Sequence, residues 1–353
     1  MLNTIFGFLL FLIVAVCLVE GWALFDTKPQ FIPQENYSQT LQSRADSGDA
    51  RAMYELGVFY RHGVDMPADN DKALKWLKRA YDNGEEKAFL VTANLFESTE
   101  QFDALKQWYE IIAIKGDKRA AYNLANMYYI GEHTPQDYSE ARKWYKIAAD
   151  KDHTMAQYWY AMATIRVKDD LTPKDYMIAG EYLGKAAEKG YPQAQNAVSH
   201  YEQECVKYEK KWKIRKYINS CLLAIHSDNG AVNYAVGFAF VNGWNNLGKT
   251  PKDGFMHLEK AAQSGNLKAQ MKLSELYENG KGTDKNLIQA YAWHGVALEN
   301  IIANKNVIDF KTFIIGALIA REGELALQMS EADQAQAVAL KQEYIEKYSA
   351  GSK

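Results

Sequence analysis

Apolar and small residues recur along this chain at helical spacing, and the stretch Gly116–Asp152 shows the pattern most completely. Its first run steps by four, one and three residues: Ala120, Leu124, Ala125 and Tyr128. Its second run steps by three, one, three and one: Ala141, Trp144, Tyr145, Ala148 and Ala149. Both runs have the spacing of one helical face, and Gly131 and Pro135 between them are typical of a turn. The pattern predicts two helices joined by a turn, a hairpin of about 36 residues.

This hairpin recurs along most of the chain. Positions equivalent to Gly116 follow one another at intervals of 32 to 38 residues: Gly48, Gly84, Gly116, Asp152, Gly190, Asp228 and Gly265. Each second helix has one column that usually holds a large residue: Trp76, Trp108, Trp144, Tyr182, Ser220, His257 and Trp293. A single hairpin cannot bury its apolar face alone, so neighbouring hairpins must stack. The sequence therefore predicts about seven stacked repeats with these large residues, the tryptophans above all, in their core.

The column pattern resembles the Sel1-like repeat family, a relative of tetratricopeptide repeats. In the first repeat, nine positions carry the match: Ala52, Leu56, Gly57, Tyr60, Gly63, Ala73, Trp76, Ala80 and Gly84. The resemblance implies an all-α fold, a right-handed α/α superhelical solenoid of about seven helix–turn–helix repeats over residues 37–300. It also implies protein–protein contacts and no chemistry. Because the period is lost after Asn300, we expect residues 301–353 to form capping helices.

The amino terminus lies outside the repeats and is strongly apolar. The segment Ile5–Phe25 has 21 residues, enough to cross a bilayer, so residues 1–25 are expected to anchor the chain and 26–36 to form a tether. A cleaved signal peptide is the alternative, since Gly21 and Ala23 form an acceptable cleavage site. Basic residues only after the segment favour a cytoplasmic solenoid. Bacterial members of the resembled family with an apolar start are often envelope proteins, which favours the inner membrane with a periplasmic solenoid.

Composition and motifs argue against several functions. A net charge of −3 offers no global basic field for nucleic acid. The segment Gly243–Thr250 matches the phosphate-binding loop G-x4-G-K-[ST], but the run before it reads as a helix, whereas that loop follows a buried strand. We therefore expect no nucleotide. No histidine stands at metal-ligand spacing from another histidine or a cysteine, and we expect no metal, no cofactor and no catalytic residues.

Cys205 and Cys221 both lie in the fifth repeat, whose columns are degenerate and whose turn has neither glycine nor proline. In an oxidising compartment they could bridge the hairpin. Two inert buried thiols are the slightly favoured interpretation, because spacing cannot show the Cα separation that a disulfide requires.

The best candidate binding site is on the first helices, which line the concave face in related repeats. Positions three, seven and ten after each punctuating residue point away from the core stripe. The predicted partner-binding residues on them are Arg51, Glu55, Lys87, Asn94, Arg119, Asn123, Asn126 and Trp159. Asparagine amides can hold an extended peptide backbone, and the basic column can take an acidic group. A merely solvated helix face is the competing interpretation.

The sequence thus favours a membrane-tethered, non-enzymatic scaffold that binds another protein or a peptide segment in its concave groove. An immunity protein that neutralises a secreted toxin is an alternative, suggested only by the uses of the resembled family. An enzyme acting on envelope polymers is a further alternative, which a pocket with two apposed carboxylates would favour. A structural spacer is the last, which an unpatterned, highly charged groove would favour.

Overall fold

The computed structural model describes residues 37–167, 171–210, 214–244, 250–303 and 311–349. The anchor expected at 1–25 and the tether at 26–36 lie outside this part. Within the described residues the chain forms seventeen α-helices and no strand, which confirms the all-α prediction. In chain order they are α1 Tyr37–Asp46, α2 Ala50–His62, α3 Asn70–Asp82, α4 Lys87–Ser98, α5 Phe102–Ile114, α6 Lys118–Ile130, α7 Tyr138–Asp150, α8 Thr154–Arg166, α9 Pro173–Glu188, α10 Pro192–Lys210, α11 Ile214–Leu223, α12 Gly230–Asn242, α13 Pro251–Gln263, α14 Leu267–Asn279, α15 Leu287–Ala303, α16 Lys311–Leu327 and α17 Glu331–Tyr348. None of these helices is both long and apolar enough to span a membrane.

The chain divides into two compact units, residues 1–108 and 109–353, and the division falls within α5. In the first unit, α1 packs on α2, α2 on α3, and α3 on α4. The Tyr37 and Phe59 rings meet at 6.0 Å, and Tyr81 contacts Trp108 edge-on at 5.6 Å. Trp76 and Trp108 are buried, as their repeat column predicted.

The second unit stacks the remaining hairpins. The contacts run from α6 to α7, from α7 to α8 and from α8 to α9, and the hairpins α10–α11, α12–α13 and α14–α15 follow. Trp144 is 7% exposed and Tyr145 is fully buried. This burial confirms the core columns, because helices approach closely at the small residues and the large ring fills the space beside them.

Glycines and polar caps end and begin the helices. Gly131 adopts a left-handed φ of 80° and its N–H bonds the Met127 carbonyl, which closes α6. At the other end, Asp117 accepts hydrogen bonds from the N–H groups of Arg119 and Ala120. A side chain at this position satisfies N–H groups that have no partner within the helix. These local signals explain why the turns recur at the same place in each repeat.

The fifth repeat differs from the expectation of free thiols. Cys205 on α10 and Cys221 on α11 form a disulfide, with a Cα–Cα distance of 4.9 Å. Both are buried among residues of α12 and α13. The antiparallel packing of α10 and α11 brings the two Cα atoms within bridging range, which sequence spacing alone could not reveal.

The carboxyl-terminal helices cover the last repeat. Trp293 of α15 is 1% exposed, and its ring lies 4.8 Å from Tyr344 and 5.4 Å from Tyr348. Ser330 starts α17 by accepting a hydrogen bond from the Asp333 N–H at 3.2 Å. In this way α17 covers the Trp293 side of the last repeat.

The element before the phosphate-loop motif is a helix. The run Val232–Val241 lies inside α12, and Gly243 ends that helix with φ 63°. The lysine of the motif, Lys249, lies outside the described residues. A phosphate loop follows a buried strand, so the motif lacks the preceding element that such a loop requires.

Candidate partner-binding surface

Four of the predicted binding residues lie in the first unit. The Arg51 Nε donates to Glu55 Oε1 at 3.0 Å, and the Tyr37 hydroxyl donates to Glu55 Oε2 at 3.0 Å. Lys87 and Asn94 are exposed on α4. The carboxylate of Glu55 therefore already binds two groups of this chain, which reduces its value for a partner.

The other four lie in the second unit, and Arg119 is held by a neighbour. Its guanidinium donates to Asp117 Oδ2 at 2.6 Å, next to the cap of α6. The side chain of Arg119 is 38% exposed and that of Asp117 is 10% exposed. Because this cation is already paired, it is a weaker site for an acidic partner than the sequence suggested.

The two asparagines have different roles. The Asn126 Oδ1 accepts a hydrogen bond from the buried Tyr145 hydroxyl at 2.5 Å. Asn126 thus provides the hydrogen-bond acceptor for the buried hydroxyl of Tyr145 on α7. Asn123 is half-buried, and no described residue hydrogen-bonds its amide. Of the two, Asn123 is the amide that remains available to a ligand.

Trp159 joins a cluster of aromatic rings that spans α6 and α8. Its centroid is 5.0 Å from Tyr129, edge-on, and 5.1 Å from Tyr158. The Tyr145 ring stacks on Trp159, with the two centroids 6.4 Å apart. The Tyr122 ring stacks on His153, with the two centroids 4.6 Å apart. Edge-on and stacked contacts of this kind hold rings in fixed orientations, so the half-buried rings form a preorganised surface.

Arg166, at the end of α8, carries the positive charge of this surface. It is exposed, and its guanidinium lies 5.9 Å from the Tyr138 ring centroid. No carboxylate of the described residues forms an ion pair with it. We call the half-buried rings Tyr122, Tyr129, Tyr138, Tyr158 and Trp159, together with Asn123 and Arg166, the aromatic face.

The hydroxyls of Tyr129 and Tyr158 stay protonated at neutral pH. Burial raises the pKa of Tyr129 and of Tyr158, and the charge of Arg166 opposes both shifts. Burial also raises the pKa of the nearby Tyr201 to about 12. Protonated hydroxyls beside a guanidinium are hydrogen-bond donors, and together they suit a ligand oxygen.

The sequence prediction included Asn123 and Trp159 but missed Tyr122, Tyr129, Tyr158 and Arg166. One feature of the sequence pointed to Tyr122 and Tyr158. Six residues after the punctuating position, outside the core columns, tyrosine recurs at Tyr54, Tyr122, Tyr158 and Tyr234. The first three are half-buried, whereas Tyr234 is buried. Large aromatic residues outside the core stripe are typical of contact surfaces.

Within the part of the chain that the structure describes, no group of three or more histidine, cysteine, aspartate or glutamate side chains could hold a metal ion.

Comparison with known proteins identifies the repeats. The family model described as Sel1 repeat matches residues 50–85, 118–153, 150–166, 154–191, 231–266 and 267–299, together slightly more than half of the chain. The chain belongs to the Sel1 repeat family. The Sel1 repeat matches include both α6 and α8, so the aromatic face is built on regular repeats. They pass over residues 192–230, the degenerate hairpin that carries the disulfide.

Two curated proteins of Arabidopsis thaliana are similar to part of this chain. The ERAD-associated E3 ubiquitin-protein ligase component HRD3B is 28% identical over 104 residues, which are 29% of this chain and 17% of that protein. The ERAD-associated E3 ubiquitin-protein ligase component HRD3A is 36% identical over 59 residues, 16% of this chain and 9% of that protein. The chain therefore spans less than a fifth of either relative.

Solved structures similar to this Sel1 repeat chain come from bacteria. One is c5321, a protective antigen of uropathogenic Escherichia coli, at 22% identity and TM-score 0.37, covering 89% of this chain and 72% of that chain. Another is a Sel1 repeat protein from Oxalobacter formigenes, at 23% identity and TM-score 0.41, covering 80% of this chain and 79% of that chain.

Proposed function

We propose that this Sel1 repeat protein is a non-enzymatic scaffold that binds a segment of a partner protein on its aromatic face. The observation that carries the proposal is the half-buried cluster around Trp159, with the available Asn123 amide and the exposed Arg166 beside it. Tryptophan, tyrosine and arginine are the residues most enriched at the energetic centres of protein interfaces. Rings already held in place lose little conformational freedom on binding, which favours affinity.

The curated relatives support the same class of function. By name, both Arabidopsis proteins are components of a ubiquitin ligase. A component role in an assembly needs a contact surface. The proposal takes only this from the relatives and assigns no ligase chemistry to the chain.

The proposed scaffold is tethered to the inner membrane by residues 5–25, with the solenoid on the periplasmic side. The apolar composition of that segment supports the tether. The Cys205–Cys221 disulfide supports the oxidising side of the membrane, because disulfides rarely persist in a reducing cytosol.

Site-specific photo-cross-linking in intact cells tests the proposal. A benzoylphenylalanine at Asn123 should cross-link to a partner protein, because that position faces the aromatic surface. The same group at Lys143, an exposed residue of the second helix α7, is the control and should not capture that partner. Trp159→Ala should reduce the cross-link while the melting curve stays close to that of the parent. Equal capture from both positions, or capture unaffected by Trp159→Ala, would contradict the proposed surface.

A further inference from the structure

The helices α6 and α8, which carry every residue of the aromatic face except Tyr138 of α7, contain no acidic residue. The helix α6 reads KRAAYNLANMYYI and α8 reads TMAQYWYAMATIR. The corresponding first helices of repeats one and two each contain a glutamate, Glu55 and Glu97. In a chain whose net charge is −3, this is a local reversal of sign. A ligand that meets this face therefore encounters cations and hydrogen-bond donors with no carboxylate on the same helices.

The available cation on this face is Arg166. Lys118 lies at the start of α6, and Arg119 is bound to Asp117. The guanidinium of Arg166 is exposed and lies against Tyr138, and no described carboxylate pairs with it. A planar guanidinium can give two parallel hydrogen bonds to a carboxylate. The ring of Tyr138 on one side restricts its orientations, which reduces the entropy lost on binding.

The apolar part of the surface lies next to this cation. Trp159 is on the same helix as Arg166, and the Tyr129 and Tyr158 rings contact it at 5.0 and 5.1 Å. The charge of Arg166 acts on the hydroxyls of both tyrosines. One short extended segment could thus place a charged side chain at Arg166 and an apolar side chain on Trp159.

We propose that the aromatic face recognises an acidic segment of the partner, in which an aspartate or glutamate side chain binds Arg166 and a neighbouring apolar side chain packs on Trp159. This inference rests on the proposed function, because it names the chemistry of the partner at that same surface. Charge complementarity carries it: the face offers a guanidinium and protonated hydroxyls, and it presents no acidic group from α6 or α8.

The test uses random peptides displayed on phage and selected on the full chain in detergent. Each peptide is fused through its carboxyl end, so a free terminal carboxylate is not on offer and any enrichment reports acidic side chains. The parent chain should select peptides with an aspartate or glutamate beside an apolar residue. The Arg166→Glu variant should lose these peptides and select lysine or arginine at the same place. The control Lys252→Glu makes the same change of charge on the exposed start of α13 and should select as the parent does.

Fluorescence anisotropy with one selected peptide, made synthetically, gives the magnitude. Arg166→Gln should weaken binding by about 10-fold, the value of one charge-assisted hydrogen bond. Changing the peptide acid to its amide should have a similar effect on the parent and almost none on Arg166→Gln. Melting curves of the variants confirm that they remain folded.

The outcomes separate this inference from the proposed function. Selected peptides that depend on Trp159 but show no acidic preference would overturn the acidic inference and leave the binding surface intact. Selected peptides that respond neither to Trp159→Ala nor to Arg166→Glu, or no selection at all, would count against both.

Discussion

The Cys205–Cys221 disulfide allows a quantitative test of how the degenerate fifth repeat is held together. The bridge joins α10 to α11 across a sequence separation of 16 residues. For a closed loop of this size, the loss of chain entropy in the unfolded state corresponds to about 3 kcal/mol of stability. Both cysteines are buried in a core cluster that includes Val232 and Val236 of the next repeat. Reduction should therefore weaken the second unit where the repeat pattern is poorest.

Urea unfolding with and without reductant measures this contribution without changing any residue of the core. Cys17 is replaced by alanine in all samples, so that only this pair of thiols can respond. With a slope of about 2–3 kcal/mol/M, a loss of about 3 kcal/mol should lower the midpoint by roughly 1 M. The double variant Cys205→Ala/Cys221→Ala is the control, and reductant should leave its midpoint unchanged.

Two results would refute this reasoning. A midpoint for the parent that does not move with reductant would show that the bridge does not limit the stability of this region. Alkylation of both thiols in intact cells, without prior reduction, would show that the bridge is not formed there. The second result would also remove the support that the disulfide lends to a periplasmic solenoid.

Two further predictions concern the core and its titration. Trp144→Ala should cost roughly 3–5 kcal/mol in urea unfolding, because it empties a buried indole site; a cost below about 1 kcal/mol would contradict the packing of the repeat column. Burial, with a smaller contribution from Lys260, lowers the pKa of His257 from 6.5 to about 4, and the ring Nδ1 is 3.1 Å from Asn233 Oδ1. Because the folded state then binds fewer protons than the unfolded state, stability should fall as the pH drops from about 6.5 towards 4. His257→Gln should flatten this pH dependence of the melting temperature, and an unchanged slope would contradict it.

Local patterns were enough to predict the repeat core. The steps between Ala141, Trp144 and Ala148 define one helical face whatever the rest of the chain does, and burial of that face follows because a lone hairpin cannot cover it. The turn at Gly131 is equally local, since the glycine satisfies backbone groups within a few residues. The structure confirms the buried face and the turn.

The candidate site was predictable only in part. Helical spacing predicted that Asn123 and Trp159 lie outside the core stripe, and both are half-buried in the structure. The same spacing treated Asn126 and Asn123 alike, although Asn126 is engaged by the Tyr145 hydroxyl. The spacing also predicted that Arg119 binds a partner, but its guanidinium already binds the capping residue Asp117.

Residue order alone is enough to specify the helical hairpins, their length and the faces they bury, because these depend on the residues within one or two turns of helix. The packing of the helices decided which side chains meet: Tyr129 with Trp159, Tyr145 with Asn126, and Cys205 with Cys221. Each of these pairs joins two different helices. Their separation depends on how closely and at what angle the helices pack, and many side chains together set that geometry.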